Sequence, residues 1–191
     1  MMAETPYTYD DLSNHYDTDF DLHNFSIDKD RPFVIPIIKE ALHINPNLKI
    51  MASPWSAPAW MKKSHKLFGG DFNDDPRYMD AFSKYLMVRF IQAYEAEGIP
   101  IHSFSVQNEP LLSLDHYPTM VMNVVVMKTF IKNHIGPMLR QNNLQTKLLI
   151  WDFNWSGEWY PESILNDGTL SVNLNTSMCS TYVCSCKAFN S

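Results

Sequence analysis

The sequence predicts an α/β fold of parallel strands, on two observations. Apolar runs of strand length alternate along the chain with segments whose apolar residues recur at helical spacing. Each strand-length run also ends in a cluster of polar and aromatic residues: Ser53-Pro54-Trp55, Asn108-Glu109-Pro110 and Asp152-Phe153-Asn154-Trp155. Strands separated by helices are joined by right-handed crossovers and lie parallel.

Residues 1–31 are polar and acidic, show no period and read as a long loop. Residues 32–42 read as a helix with Ile35, Ile38 and Leu42 on one side, ended by Asn45-Pro46-Asn47 because proline and the residue before it resist helix continuation. Residues 48–53 are short, apolar and bounded by turn residues, which suits a buried strand. The rigid aromatic loop 54–60 follows. Asp75-Pro76 is a helix start, a capping carboxylate before a proline in the first turn. That helix runs to about Glu97, with Phe82, Leu86, Phe90, Ala93 and Tyr94 as its buried stripe and Gly98 as its stop. Residues 101–107 alternate like a strand, 120–135 form a helix stopped by Gly136-Pro137, and 147–152 form a third strand.

Composition bounds the function. A chain of 191 residues with 45% hydrophobic and 19% charged residues is one ordinary globular domain. Its net charge of −6 argues against nucleic acid as a partner, because the phosphate backbone calls for a basic surface. The aromatic residues suit sugar stacking, but composition alone favours core packing for them. Cys179, Cys184 and Cys186 form no disulfide framework, no zinc-ligand pattern is present, and no metal or cofactor is expected. The N-terminus has neither the basic nor the apolar region of a signal peptide, and no apolar run approaches the roughly 20 residues that cross a bilayer. Doubly wound sheets and (β/α)8 barrels both fit the element order. The glycine-rich nucleotide-binding motifs are missing, which weakens the first. A complete barrel takes about 250 residues, and three strands fall short of eight.

In α/β barrels the carboxyl ends of the strands build the active site. A carboxylate there, with an amide before it and a proline after it, is a candidate acid/base. Asn108 can hold a substrate hydroxyl, Glu109 can face a leaving oxygen, and Pro110 stiffens the turn. Glycosidic cleavage needs one carboxylic acid to protonate the leaving group and a second carboxylate to attack the sugar or activate water. Asn-Glu-Pro alone is equally a surface turn with a solvated glutamate. Its position at a strand end is what raises the catalytic reading.

The combination is more specific. Ala52-Ser53-Pro54-Trp55-Ser56-Ala57-Pro58-Ala59-Trp60-Met61-Lys62, then Val106-Gln107-Asn108-Glu109-Pro110, resembles the glucosylceramidases of glycoside hydrolase family 30. Tyr7-Thr8-Tyr9-Asp10, Asp21-Leu22-His23-Asn24-Phe25-Ser26 and Ile135-Gly136-Pro137-Met138-Leu139 add to the resemblance, which covers roughly residues 6–170. It implies a fragment of a (β/α)8 TIM barrel, around strands three to five. It implies Glu109 as general acid/base, Asn108 as a sugar-binding amide and Trp55 as a wall of the glucose pocket. Trp60 is assigned to structure, and the roles of Asp152 and Asn154 are left open. The implied reaction is retaining hydrolysis of glucosylceramide to glucose and ceramide, without metal or cofactor. The implied partners are a glycolipid at a membrane surface and an activator protein, and the implied location is lysosomal or secreted. Asn24-Phe25-Ser26 matches a glycosylation sequon of lysosomal members.

The resemblance also sets expectations about what lies elsewhere. The sugar-binding aspartate of the early strands is expected before residue 6, and the nucleophile glutamate at the end of strand seven, outside this chain. Residues 1–171 read as a partial catalytic barrel and 172–191 as a divergent, mis-spliced or frame-shifted tail. Lost neighbouring strands leave open edges, which predict marginal stability. Two rival readings stand beside the glycolipid hydrolase: a related β-glycanase acting on polysaccharide, and an inactive truncated product.

Overall fold

The computed structural model describes residues 5–168. The tail 172–191, with its three cysteines, lies outside the described residues.

Three strands form one parallel sheet in the order β1 (Ile50–Ala52), β2 (Ile101–Ser105), β3 (Lys147–Leu149). β2 pairs with both neighbours. Ala52 lies opposite Phe104, Phe104 opposite Leu148, and a register irregularity falls between Ile50 and Met51. Helix α1 (Val34–Ile44) precedes β1. Helix α2 spans 76–96 as Pro76–Ser83, a π-helical stretch Lys84–Phe90, and Ile91–Ala96. Helix α3 spans 124–141 as Val124–Phe130, a π stretch Ile131–Ile135, and Gly136–Gln141. Helix α4 (Trp159–Leu165) follows β3.

The sequence accounts for most of these boundaries. Asp75 caps α2 by accepting from the Arg77 N–H, and Pro76 opens the first turn. Gly98 at φ 79° ends it. The Gly98 N–H reaches Glu95 O at 2.9 Å and the Ile99 N–H reaches Tyr94 O at 2.9 Å, the paired bonds of a Schellman stop. Ile35 is the buried anchor of α1, with Ile38 and Leu42 packed beside it. The core fills the space between helices and sheet. Phe82, Leu86 and Phe90 of α2 meet Phe130 of α3 and Phe104 of β2, and Phe82 stacks on Phe130 at 5.6 Å and 14°.

Three expectations need correction. The helix expected over 120–135 begins at Val124, because Asn123 caps it by accepting from the Val125 and Val126 N–H groups. Residues 120–122 are spent on the loops instead: the Val121 N–H donates to Gly70 O at 3.0 Å and the Met122 N–H to Pro110 O at 2.9 Å. Gly136-Pro137 does not stop that helix. Pro137 lacks a donor and crowds the carbonyl four residues back in a regular α-helix. The wider π turn just before it relaxes that ladder, and the helix continues to Gln141. The stop is Asn143 at φ 52°, with the Leu144 N–H on Leu139 O at 3.0 Å. Helix α4 was not foreseen. It is short, and its Tyr160 supplies the anchor: the ring lies 5.0 Å from Trp151 and the hydroxyl donates to Met122 O at 2.5 Å.

The described part of the N-terminal segment, before α1, has no helix or strand, yet it is well anchored. The buried Asp30 carboxylate accepts the Tyr9 hydroxyl at 2.7 Å, the Tyr94 hydroxyl of α2 at 2.5 Å and the Tyr7 hydroxyl. Tyr9 stacks on Tyr85 and Phe90, and Leu22 is fully buried. Aromatic packing and one shared carboxylate replace a backbone ladder there.

Candidate active site

All three strands run the same way, so their carboxyl ends lie on one side, and the loops leaving them share that face. The middle loop, after β2, is tied to both others by backbone hydrogen bonds. The Asn108 N–H donates to Pro54 O at 2.9 Å, beyond β1, and the Glu109 N–H donates to Asp152 O at 2.8 Å, beyond β3. Asn108 and Glu109 are therefore held from both flanks.

Glu109 has φ 45°. A side-chain-bearing residue in the left-handed region costs on the order of 1–3 kcal/mol and persists only where its surroundings over-determine it. Here the two flanking bonds, Pro110 next in sequence and the Leu112 N–H on Glu109 O at 2.9 Å supply that constraint. The Glu109 side chain is half-buried.

Gln107 is buried beneath this turn, and its Nε2 donates to Trp55 O and Asn108 O, both at 2.9 Å. One amide thus fastens the main chain at Trp55 to that at Asn108. Ser53 Oγ donates to Asp152 Oδ2 at 2.5 Å, joining the ends of β1 and β3 across the middle strand. Trp55 is 40% exposed, which leaves part of its ring free for a ligand. Tyr117, from the loop after β2, packs against it edge-on at 5.7 Å and 61°.

Beside this aromatic pair lies Lys62, with no exposed surface. Its ammonium donates to Ser56 Oγ at 3.0 Å, Leu67 O at 2.8 Å and Thr119 O at 2.8 Å. Burial pushes this ammonium down to about 7.

The structure thus puts Trp55, Asn108 and Glu109 on one face, with the Gln107 amide bridging Trp55 O to Asn108 O. Trp60 is a core residue: its ring lies edge-on to Phe20 at 5.6 Å and its indole N–H donates to Asp10 O at 3.3 Å. Asn154 is taken up locally, its side chain accepting from the Ser156 N–H at 3.2 Å and the Ser156 hydroxyl at 2.6 Å. Asp152 belongs to the site's frame through Ser53 and the Glu109 N–H. Sequence reasoning missed Gln107, Tyr117 and Lys62. Gln107 precedes the Asn-Glu pair and continues the strand's alternation, which was a usable signal. Lys62 is followed by Lys63, and nothing in a pair of lysines shows that one is sealed in the core while the other pairs with Asp74 at 2.6 Å on the surface.

Parallel strands with crossover helices, and a glutamate at the end of the middle strand, fit a segment of a (β/α)8 barrel. The chain belongs to glycosyl hydrolase family 30, whose TIM-barrel domain profile matches residues 2–175. It is 35% identical over 168 residues to an endo-1,6-β-D-glucanase of Neurospora crassa, covering 87% of this chain and 34% of the relative. It is 31% identical over 154 residues to the lysosomal acid glucosylceramidase of Mus musculus, covering 76% of this chain and 29% of the relative. A solved endo-β-1,6-glucanase superposes with a TM-score of 0.79 at 29% identity, over 94% of this chain and 41% of that one. The chain spans about a third of the length of the curated relatives it matches.

Proposed function

We propose that this chain carries the acid/base half of a retaining β-glucosidase site. Glu109 protonates the glycosidic oxygen as the bond breaks, then takes a proton from the water that releases the sugar. Asn108 holds a sugar hydroxyl and Trp55 forms a wall for the ring. The nucleophile is a second carboxylate from another strand end of the complete barrel, about 5–5.5 Å from Glu109 as retention requires. Residues 1–171 form the barrel segment in this reading, and 172–191 a divergent tail.

The observation that carries the reading is the conformation of Glu109. A glutamate held at positive φ, its own N–H bonded to the end of β3 and its neighbour Asn108 bonded to the end of β1, is a backbone strained to aim one carboxylate.

Two substrate readings share this chemistry. Glucosylceramide follows from the Ala-Ser-Pro-Trp loop and the N-terminal motifs, and brings with it a membrane surface, an activator protein and a lysosomal or secreted location. A β-1,6-glucan is favoured by the similarity to the Neurospora crassa endo-1,6-β-D-glucanase and to the solved endo-β-1,6-glucanase. Hydrolysis of glucosylceramide, β-1,6-glucan and an aryl β-glucoside by the full-length enzyme, with and without Glu109→Gln, tests the proposal. The expected outcome is a loss on the order of 10²–10⁴-fold with Glu109→Gln, and preference for one natural substrate. Unchanged turnover in the variant overturns the role of Glu109.

A further inference from the structure

We propose that Lys62 is a positioning residue, whose ammonium locks the Trp55–Tyr117 pair to the site by clamping the two loops that carry it. The inference rests on the reading of Trp55 as a sugar-binding wall.

The three donors of a lysine ammonium meet three acceptors here, one on each of three chain segments. Ser56 follows Trp55 in the loop after β1. Thr119 stands two residues after Tyr117 in the loop after β2. Leu67 lies in the turn between them. Each half of the aromatic pair is thus gripped through a near neighbour in sequence, and the grip comes from a side chain without solvent contact. The loops close further around it. Thr119 Oγ1 accepts from the Leu114 N–H at 2.9 Å, and Ser113 Oγ accepts from the Gly70 N–H at 2.9 Å. Among the described residues no carboxylate pairs with Lys62.

Charge is what makes this a clamp. A neutral amine keeps two donors, enough for the Leu67 and Thr119 carbonyls, and presents a lone pair, so the Ser56 hydroxyl must turn from Ala57 O at 2.9 Å and Leu67 O at 3.0 Å to face it, and the net loosens there. Burial lowers the proton affinity and the three acceptors oppose it, and the charged groups around it are engaged elsewhere or solvated. Lys63 pairs with Asp74 at 2.6 Å, the His65 ring meets His15 O at 2.9 Å, and Asp115 lies by His116 at 3.3 Å. Lys66 and Asp71 are exposed. The proton therefore leaves near neutral pH, and the aromatic wall loosens above it.

Stability moves the other way. A lysine depressed in the folded state contributes stability that is present above its ordinary range and lost as pH falls through about 7. Loosening of the loops on raising the pH, without loss of global stability, separates a positioning role from a structural one.

The test is hydrogen exchange of the full chain from about pH 6 to pH 8, corrected for intrinsic rates, following the Leu114, Gly70 and Val121 amides. Affinity for methyl β-glucoside, a neutral probe, is followed by saturation-transfer NMR over the same range. In the wild type, protection and affinity are expected to fall together by about tenfold, with no fall in thermal midpoint. Lys62→Met is expected to be weak and flat with pH. Ser56→Ala, a milder change that keeps the charge, is expected to move the midpoint to lower pH, since one acceptor of the charged form is gone. Flat protection in the wild type, or an unmoved midpoint in Ser56→Ala, overturns the proposal. Loop protection that titrates while methyl β-glucoside fails to bind at any pH keeps the clamp and overturns the sugar-wall reading.

Discussion

β2 and β1 are adjacent strands of one sheet, but their surroundings differ. β2 is bonded on both sides, and Ile101, Phe104, Ser105 and Val106 along it and just beyond it are buried. β1 is bonded on one side only among the described residues, its Met51 is 42% exposed, and α1 beside it exposes Ile37 and Ile44. The α2 and α3 cores converge on the β2 side. The candidate acid/base hangs from the strand with the most support, while β1 and α1 leave Met51, Ile37 and Ile44 exposed. A carboxylate that must hold within a fraction of an ångström belongs on the element least free to move.

That contrast can be broken by mutation, and the largest effect is expected at the β2 side. Phe82→Ala removes a fully buried ring stacked on Phe130 and is expected to cost about 3–5 kcal/mol. Its urea midpoint should fall by a corresponding amount, whereas Ile44→Ser, at a 75% exposed position, should stay within about 0.5 kcal/mol. Urea midpoints read both. Equal costs would show that the core is not centred where the structure puts it.

Gly157→Ala is expected to come next. A Cβ there would sit 2.3 Å from the Trp151 ring, and Trp151 packs on Tyr160. Overpacking of this kind costs about 1–3 kcal/mol. The denaturation midpoint should drop, with altered near-ultraviolet circular dichroism from the displaced indole.

Asp10 sharpens the comparison from the N-terminal side. Burial first, and the charge of Asp19 second, push its carboxyl up to about 6. Its folded-state value exceeds its unfolded one, so its contribution to stability is present below the ordinary carboxylate range and lost as pH rises through about 6. Urea midpoints between about pH 4 and pH 6.5 should fall in the wild type and flatten in Asp10→Asn.

The smallest effect concerns Glu109. Glu109→Gly relieves the positive φ and should raise stability by up to about 1 kcal/mol, while removing the proposed acid/base. A loss of stability would mean that the side chain itself supports the turn.

Much of this was legible in the sequence because local signals agreed with the fold. Asp75-Pro76 and Gly98 bounded α2, and the spacing of Phe82, Leu86 and Phe90 gave its buried face. Trp55, Asn108 and Glu109 fell on one face because each follows a parallel strand directly. What escaped depended on distant contacts. Residues 120–122 carry apolar side chains that suit a helix, but the carbonyls of Gly70 and Pro110 claim two of their amides. Gly136-Pro137 reads as a stop unless the π turn before it is known. Lys62 gains its meaning only from acceptors as far as 57 positions away.

The two π stretches, in α2 and α3, have a consequence for insertions and deletions. Each is the equivalent of a single surplus residue absorbed into a helix. A one-residue deletion in a regular helix swings every later side chain about 100° around the axis and scrambles its buried face. A deletion at Asn133, within the wide turn and exposed, instead lets that turn tighten to an ordinary one, leaving Ile131 and Leu139 near their places in the core. The helices flanking the site thus carry built-in slack in chain length, at positions where the reading frame can lose a codon and the fold need not follow.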